Sequence, residues 1–254
     1  MRITIKIGSN VLTRKDGSLD VTRMSALVDQ IATLRADGHE IILVSSGAVA
    51  SGRSELKHIQ HDLDSVDQRQ LFSAVGQAKL INRYFELFRE YSIPVGQVLT
   101  TKENFSDSEH RKNQENCMRV MLENEVIPIV NENDTVSVTE LMFTDNDELS
   151  GLIAKMTNSQ MLIILSNIDG VFTGNPDNPE SRLISIVKPG KSLEDYIQAS
   201  KSSAGRGGMK SKSSVAQQTA AAGISVIIAN GKRDDILVRL MNDRDNTPCT
   251  EFLC

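Results

Sequence analysis

The chain has 254 residues, with 28 Lys and Arg against 33 Asp and Glu, for a formal net charge of −5. That length fits one large domain or two small lobes around a substantial core, and the charge balance gives no basis for a nucleic-acid surface or a membrane patch. Trp is absent and aromatic residues are only 4%, so the core must be built mainly from Ile, Leu, Val, Met and Ala. Cys117, Cys249 and Cys254 have neither C-x-x-C spacing nor a neighbouring His, which argues against a zinc site or a disulfide framework. The N-terminal MRITIKIGSN lacks the apolar core and cleavage site of a signal peptide, and no apolar run approaches a membrane span. A cytoplasmic protein is expected.

Arg2 to Ile7 alternates polar and apolar residues and reads as a first strand, followed by a tight loop at Gly8 to Asn10. From Thr22 a helix places Met24, Leu27, Val28, Ile31 and Leu34 on one face and ends at Gly38. Glu40 to Ser45 is a second, more buried strand. Val66 to Glu90 reads as a long helix with Leu71, Val75, Ala78, Ile81, Phe85 and Phe88 inward, and Pro94 to Leu99 as a third strand. Ser108 to Asn124 is a helix that turns Cys117, Val120 and Met121 inward. Val126 to Val130 is a buried strand that runs into the polar stretch Asn131 to Ser150, where Val136, Val138, Leu141 and Phe143 suggest a small hairpin.

Helix then returns at Asp147 to Met156, strand at Gln160 to Leu165, and turns at Gly174 to Pro179. Gly205 to Gly208 leads into an Ala-rich helix, Met209 to Ala222. A strand at Ile224 to Ala229, a helix at Ile236 to Met241 and an edge strand at Thr250 to Leu253 complete the chain. Parallel strands need such helical crossovers, so the fold class is α/β with a mostly parallel sheet between helical layers. A lobe boundary, if there is one, falls at Leu152 to Gln160.

Several patterns bear on chemistry. Gly47 to Ser54 nearly matches G-x-x-x-x-G-K-[ST], but Arg53 holds the lysine position and Ala48 to Ala50 read as an early helix start. No G-x-G-x-x-G opens a helix after a strand, which leaves a dinucleotide-binding oxidoreductase little support. Lys6 stands at a strand end beside Gly8, either as a solvated strand-edge lysine or as an anion ligand. Gly207 and Gly208 precede a helix whose first turn carries Lys210 and Lys212. Helix N-termini favour anions and disfavour lysines, so lysines there point to a negative ligand. Counting from Asp145, calcium-loop spacing fails, because Leu149 takes an oxygen position and Ser150 the glycine position. His39, His58, His61 and His110 form no recognisable triad.

Together, KIGSNVLT (Lys6–Thr13), VSSGA (Val44–Ala48), AVGQ (Ala74–Gln77), VGQ (Val95–Gln97), VNEND (Val130–Asp134), DND (Asp145–Asp147) and GGMKSK (Gly207–Lys212) resemble the amino-acid-kinase family, and within it the glutamate-phosphorylating branch, in the form without a C-terminal PUA domain. The resemblance covers nearly the whole chain in the family's order. It implies a three-layer α/β/α sandwich around a mostly parallel sheet, with an acceptor-binding part at about residues 1–155 and a nucleotide-binding part at about 156–254.

The implied reaction moves the ATP γ-phosphoryl group, with Mg²⁺, to the side-chain carboxylate of L-glutamate, the first step of proline synthesis. That carboxylate is already ionised at neutral pH, so no general base is needed. By the same resemblance, Lys6, Lys212 and Asp147 are catalytic, with Asp147 orienting the two lysines. Ser46, Asp134 and Asn146 bind glutamate, assisted by Asn131 and Asp145. Lys6, Gly8, Ser166, Asn167, Arg206, Gly207, Gly208, Met209, Lys210, Ser211 and Lys212 hold the nucleotide, and no protein side chains form a metal site. Asn167 departs from the Asp of several relatives. Proline as feedback inhibitor and a homo-oligomer are further expectations, with neither nucleic acid nor membrane as partner. Two alternatives stay open: a kinase of the same family acting on carbamate, acetylglutamate or uridylate, and a non-catalytic sensor of amino acid or nucleotide.

Overall fold

The computed structural model describes residues 1–57, 63–137, 143, 145–193, 196 and 208–254. Its sheet runs in the order β3-β4-β2-β1-β5-β7-β8-β6. The strands are β1 (Arg2–Ile7), β2 (Glu40–Ser45), β3 (Val95–Thr100), β4 (Ile127–Glu132), β5 (Met161–Ser166), β6 (Ile186–Val187), β7 (Ser225–Asn230) and β8 (Cys249–Phe252). Every pairing is parallel except that of β7 with β8. From β1 the chain steps to β2 on one side and later to β5 on the other. The strand order therefore reverses around β1, and a crevice opens there at the carboxyl ends of the strands.

The helices are α1 (Ser9–Leu12), α2 (Val21–Ala36), α3 (Ala48–Glu55), α4 (Ser65–Arg89), α5 (Glu103–Ser106), α6 (Ser108–Glu123), α7 (Asn146–Met156), α8 (Met209–Ala220) and α9 (Ile236–Asn242). Aspartates cap α2, α4, α6 and α7: the side chains of Asp20, Asp64, Asp107 and Asp145 accept from first-turn backbone N–H groups that have no intrahelical partner.

The alternation of β1 assigns its two faces. Ile3, Ile5 and Ile7 join one core with residues of α2, α4 and α9. On the opposite side of the sheet, Leu162, Ile164, Val226 and Ile228 meet Ala154, Ala216 and Ala220 of α7 and α8. There too Ile42, Val44 and Val130 meet Met118, Leu122, Leu149 and Ile153 of α6 and α7. These are the three layers of an α/β/α sandwich. Thr4 and Lys6 lie on the α7 side, where buried polar partners meet them: Thr4 Oγ1 lies 2.9 Å from Ser159 Oγ, and Lys6 reaches Asp147.

Several local expectations are corrected. Gly8 to Asn10 is not a loop throughout, since a short helix starts at Ser9. The buried face of α4 is Phe72, Ser73, Gly76, Leu80, Tyr84 and Phe88, while Phe85 is exposed. In α6 the inward residues are Met118 and Leu122, with Cys117 and Val120 exposed. Both stripes are rotated from the expected ones, although Phe88 of α4 is buried and Met121 of α6 packs against the core half-buried, as expected. Where α4 crosses α3, glycines fix the rotation of the two helices. A Cβ on Gly76 would stand 1.8 Å from the Ala48 carbonyl oxygen, and one on Gly52 would stand 1.9 Å from that of Phe72.

The strand at Cys249–Phe252 is internal, because the two-residue β6, too short to show periodicity, lies outside it. Most of the expected hairpin falls on 138–142 and 144, outside the described residues.

The α3–α4 contact leaves no room for a methyl group. Gly76→Ala is therefore expected to lower unfolding stability in urea by about 1–3 kcal/mol, the usual range for overpacking. Unchanged stability would mean that the helices part without loss.

Candidate active site

The carboxyl ends of β1, β2, β4 and β5 open into one cleft of about 1500 Å³. Lys6 comes from the end of β1, Ser46 follows β2, Asn131 lies near the end of β4 and Ser166 ends β5. All four line the cleft, as do Gly8, Asp134, Asp145, Asn146, Asp147, Asn167, Met209 and Lys212.

At its base Asp147 is held between two lysines. Lys6 Nζ stands 2.6 Å from Oδ1, and Lys212 Nζ donates to Oδ2 at 2.8 Å. Lys6 is 4% exposed, Lys212 9% and Asp147 fully buried, so Lys6 is not a solvated strand-edge lysine. Burial alone would push the Asp147 carboxyl up. The Lys6 and Lys212 charges and their hydrogen bonds outweigh burial and hold it below the ordinary carboxylate range.

Asp145 sits at the N-terminus of α7. Its Oδ1 accepts from the backbone N–H groups of Asp147 and Glu148, and its Oδ2 accepts from Ser211 Oγ at 2.7 Å. It thereby caps α7 and ties α8 to it. Burial, then the nearby Asp147 charge, push Asp145 up.

An amide network forms the second part. Asn146 Nδ2 donates to Asn131 Oδ1 at 2.8 Å, to Ser46 Oγ at 3.0 Å and to the Ser45 carbonyl at 3.3 Å. Asn131 Nδ2 in turn donates to Gln77 Oε1 at 2.8 Å. Beneath it Ser45 Oγ and the Tyr84 hydroxyl are 2.9 Å apart, with burial raising the Tyr84 pKa against the opposing Ser45 hydrogen bond. Asn131, Asn146 and Ser46, distant in sequence, thus form one hydrogen-bonded patch beside the lysine–aspartate cluster.

Of the remaining positions singled out, Gly208 is the N-cap of α8, whereas Lys210 is exposed and outside the cleft wall. Arg206 and Gly207 lie outside the described residues. Gly8 approaches β5 closely: its N–H donates to the Leu165 carbonyl at 3.1 Å, and a Cβ would meet that oxygen at 3.0 Å. The P-loop reading of Gly47 to Ser54 does not hold. Gly47, at φ 107°, starts α3; Gly52 and Arg53 are inside that helix, and Arg53 stacks over the Phe72 ring. A phosphate-wrapping loop would have to precede the helix.

Arg69 and Glu132 escaped the sequence reading as site residues. Arg69, near the start of α4, pairs with Asp134 and, at 2.7 Å, with Glu132 Oε2. The available signal was helical spacing: position 69 shares the face of Phe72, Ser73 and Gly76, so a charge falls on the packed side. Among the described residues no group of three or more His, Cys, Asp or Glu could hold a metal ion. None of the described helices is long and apolar enough to cross a membrane.

Asp147→Asn leaves two buried lysine charges uncompensated, a change expected to cost about 3–5 kcal/mol of stability. Inorganic triphosphate should restore part of the lost Tm in that variant more than in the native chain; no difference between the two would contradict a shared anion site. Acidification followed by carboxyl-resolved NMR should protonate Asp145 before Asp147. Because the folded pKa of Asp147 lies below its unfolded value, its stabilising contribution is complete at neutral pH and fades only below about pH 4. The reverse order of protonation would contradict the charge arrangement.

Comparison with known proteins gives a consistent picture. A curated glutamate 5-kinase of Bacteroides thetaiotaomicron is 70% identical over 99% of this chain, which spans 70% of that protein. The glutamate 5-kinase of Chlorobaculum tepidum is 46% identical over 93% of this chain and 65% of its own length. Among solved structures, carbamate kinase from Giardia lamblia bound to AMP-PNP superposes with a TM-score of 0.69 at 17% identity, covering 99% of this chain and 98% of that one, a likeness of fold. The model of the amino acid kinase family matches residues 1–230. With that match over the residues that carry the lysine–aspartate cluster, and with these relatives, the chain belongs to the amino acid kinase family.

Proposed function

We propose that the chain transfers the γ-phosphoryl group of ATP to the side-chain carboxylate of L-glutamate, giving glutamyl 5-phosphate and ADP at the entry to proline synthesis. The observation that carries this reading is the adjacency, in one cleft, of the Lys6–Asp147–Lys212 cluster and the Ser46–Asn131–Asn146 patch. The first suits a polyphosphate and the second a small polar acceptor. The 70% identity to a glutamate 5-kinase supports glutamate over the other acceptors of the family.

The chemistry needs alignment and charge neutralisation more than proton transfer. The glutamate side-chain oxygen attacks phosphorus, the bond to the bridging oxygen of ADP breaks, and no proton moves. Lys6 and Lys212 hold the oxygens of the transferring group. Asp147 holds both ammoniums in place through its two oxygens, and does not attack. A preorganised donor of this kind is worth roughly 3 kcal/mol of barrier.

Asp134 accepts from the substrate ammonium, while Ser46, Asn146 and Asn131 hold its carboxylates. Asp145 supports the pocket by fixing the start of α7. Gly8, Ser166, Asn167 and the first turn of α8 with its preceding glycines take the nucleotide. The acceptor thus rests mainly on residues before about 155 and the nucleotide mainly on those after. Magnesium suits substrate phosphates, because it keeps several waters and rarely needs an all-protein cage. Asp147 already carries two lysines, which fits an ion arriving with ATP and neutralising its phosphate charge. A cytoplasmic homo-oligomer, inhibited by proline in the acceptor pocket, belongs to the same proposal. Unchanged turnover at saturating proline removes the inhibitor, and a monomer in sedimentation equilibrium removes the oligomer.

Hydroxylamine trapping with glutamate, ATP and Mg²⁺ should give a glutamate-dependent hydroxamate. Binding of both substrates without turnover would favour a sensor, and turnover with another acceptor alone would replace glutamate. Lys6→Ala and Lys212→Ala should lower kcat by about 100-fold or more with little change in glutamate KM. A pure KM effect in both would remove their assigned role. Asp134→Ala should mainly raise glutamate KM; an unmoved KM takes it out of the acceptor pocket.

A further inference from the structure

Asp134 is not alone at the acceptor end of the cleft. The Arg69 guanidinium lies against it, and both residues line the cleft. Arg69 is also anchored from behind. Glu132 is buried, and its Oε2 takes Arg69 at 2.7 Å while its Oε1 accepts the Phe143 N–H at 3.0 Å. Glu132 thus ties the Arg69 head to the end of β4 and to the backbone at Phe143. The stem of Arg69 leaves α4 on the face that Gly76 locks against α3. If Asp134 turns toward a substrate ammonium, Glu132 still holds the guanidinium in place.

A guanidinium against this carboxylate opposes capture of a bare ammonium, because it competes for the same oxygens and repels the same charge. The opposition vanishes for a ligand that carries an anion one carbon from its ammonium. An α-amino acid is such a ligand, and the planar fork of arginine fits a carboxylate where a lysine offers only a point charge. The juxtaposed Asp134 and Arg69 charges are complementary to a zwitterionic head group.

We propose that Arg69 reads the α-carboxylate of the acceptor, and is a specificity-determining residue that restricts the reaction to free α-amino acids. This rests on Asp134 receiving the substrate ammonium. The test uses L-glutamate and L-glutamate α-amide, which keeps the side-chain carboxylate but loses the charge that Arg69 reads. The intact chain should prefer glutamate by about tenfold or more in kcat/KM, the worth of one charge-assisted hydrogen-bonded contact. Arg69→Met should collapse that preference, chiefly by raising glutamate KM, with ATP KM unchanged. Arg69→Lys should fall between the two.

A merely structural Arg69 would weaken both acceptors by one factor and leave the ratio intact, which overturns the proposal. So does equal use of the two acceptors by the unmutated chain, a measurement that stands even if Arg69→Met fails to fold. Asp134→Asn with unmoved glutamate KM contradicts the acceptor pocket and this inference together. A raised KM there with an unmoved ratio in Arg69→Met contradicts this inference alone.

Discussion

A single buried carboxylate between two ammonium groups joins the parts of this molecule that are farthest apart in sequence. Lys6 belongs to the central strand, Asp147 to the first turn of α7 and Lys212 to the first turn of α8. Two buried lysines need a counter-charge, and Asp147 supplies it to both, with the Asp145 carboxylate close by. Desolvating such a cluster is costly, and it is weak evidence for stability in itself. Its sense is chemical: two ammonium groups are held in fixed positions at the strand ends, where an anionic ligand can meet both. The fold supplies the position, because parallel strands gather their carboxyl ends on one edge where the order reverses around β1.

The rest of the cleft reads as support for that centre. Asp145 caps α7 and bonds Ser211, so the two helices that carry Asp147 and Lys212 are tied at their starts. Asn146, between the two aspartates in sequence, turns toward Asn131 and Ser46. Three consecutive residues thereby serve three purposes: the cap, the amide network and the lysine pair. A helix start allows this because successive side chains point about 100° apart.

Much of this was legible in the sequence. Alternation in RITIKI, the apolar runs of β2, β4 and β5, and the helical stretches between them fix the α/β class with its elements nearly in place. Lys6, Asp147 and Lys212 were reached through resemblance to a family; spacing alone left Lys6 open between a solvated edge lysine and an anion ligand. Burial decides that question, and burial follows from β1 being central, which depends on long-range pairing. The displaced stripes on α4 and α6 have the same origin. On α4 two apolar stripes compete, one through Leu71, Val75, Ala78 and Phe85 and one through Phe72, Leu80 and Tyr84, and the close approach of Gly76 and Gly52 selects the second. Arg69 was missed for that reason: with the stripe misplaced, its position on the packed face was not visible. The short β6 carried no periodic signal at all.

The central claim is that this cleft joins the glutamate side-chain carboxylate directly to the phosphoryl group of ATP. The most direct measurement uses glutamate labelled with ¹⁸O in that carboxylate and follows the inorganic phosphate released when the acyl phosphate cyclises through its own amine. Ring closure expels phosphate with the oxygen that had attacked phosphorus. The account predicts one ¹⁸O per phosphate, seen as an isotope shift in the ³¹P spectrum. Unlabelled phosphate would mean that water, and not the carboxylate, attacked ATP, and would contradict it.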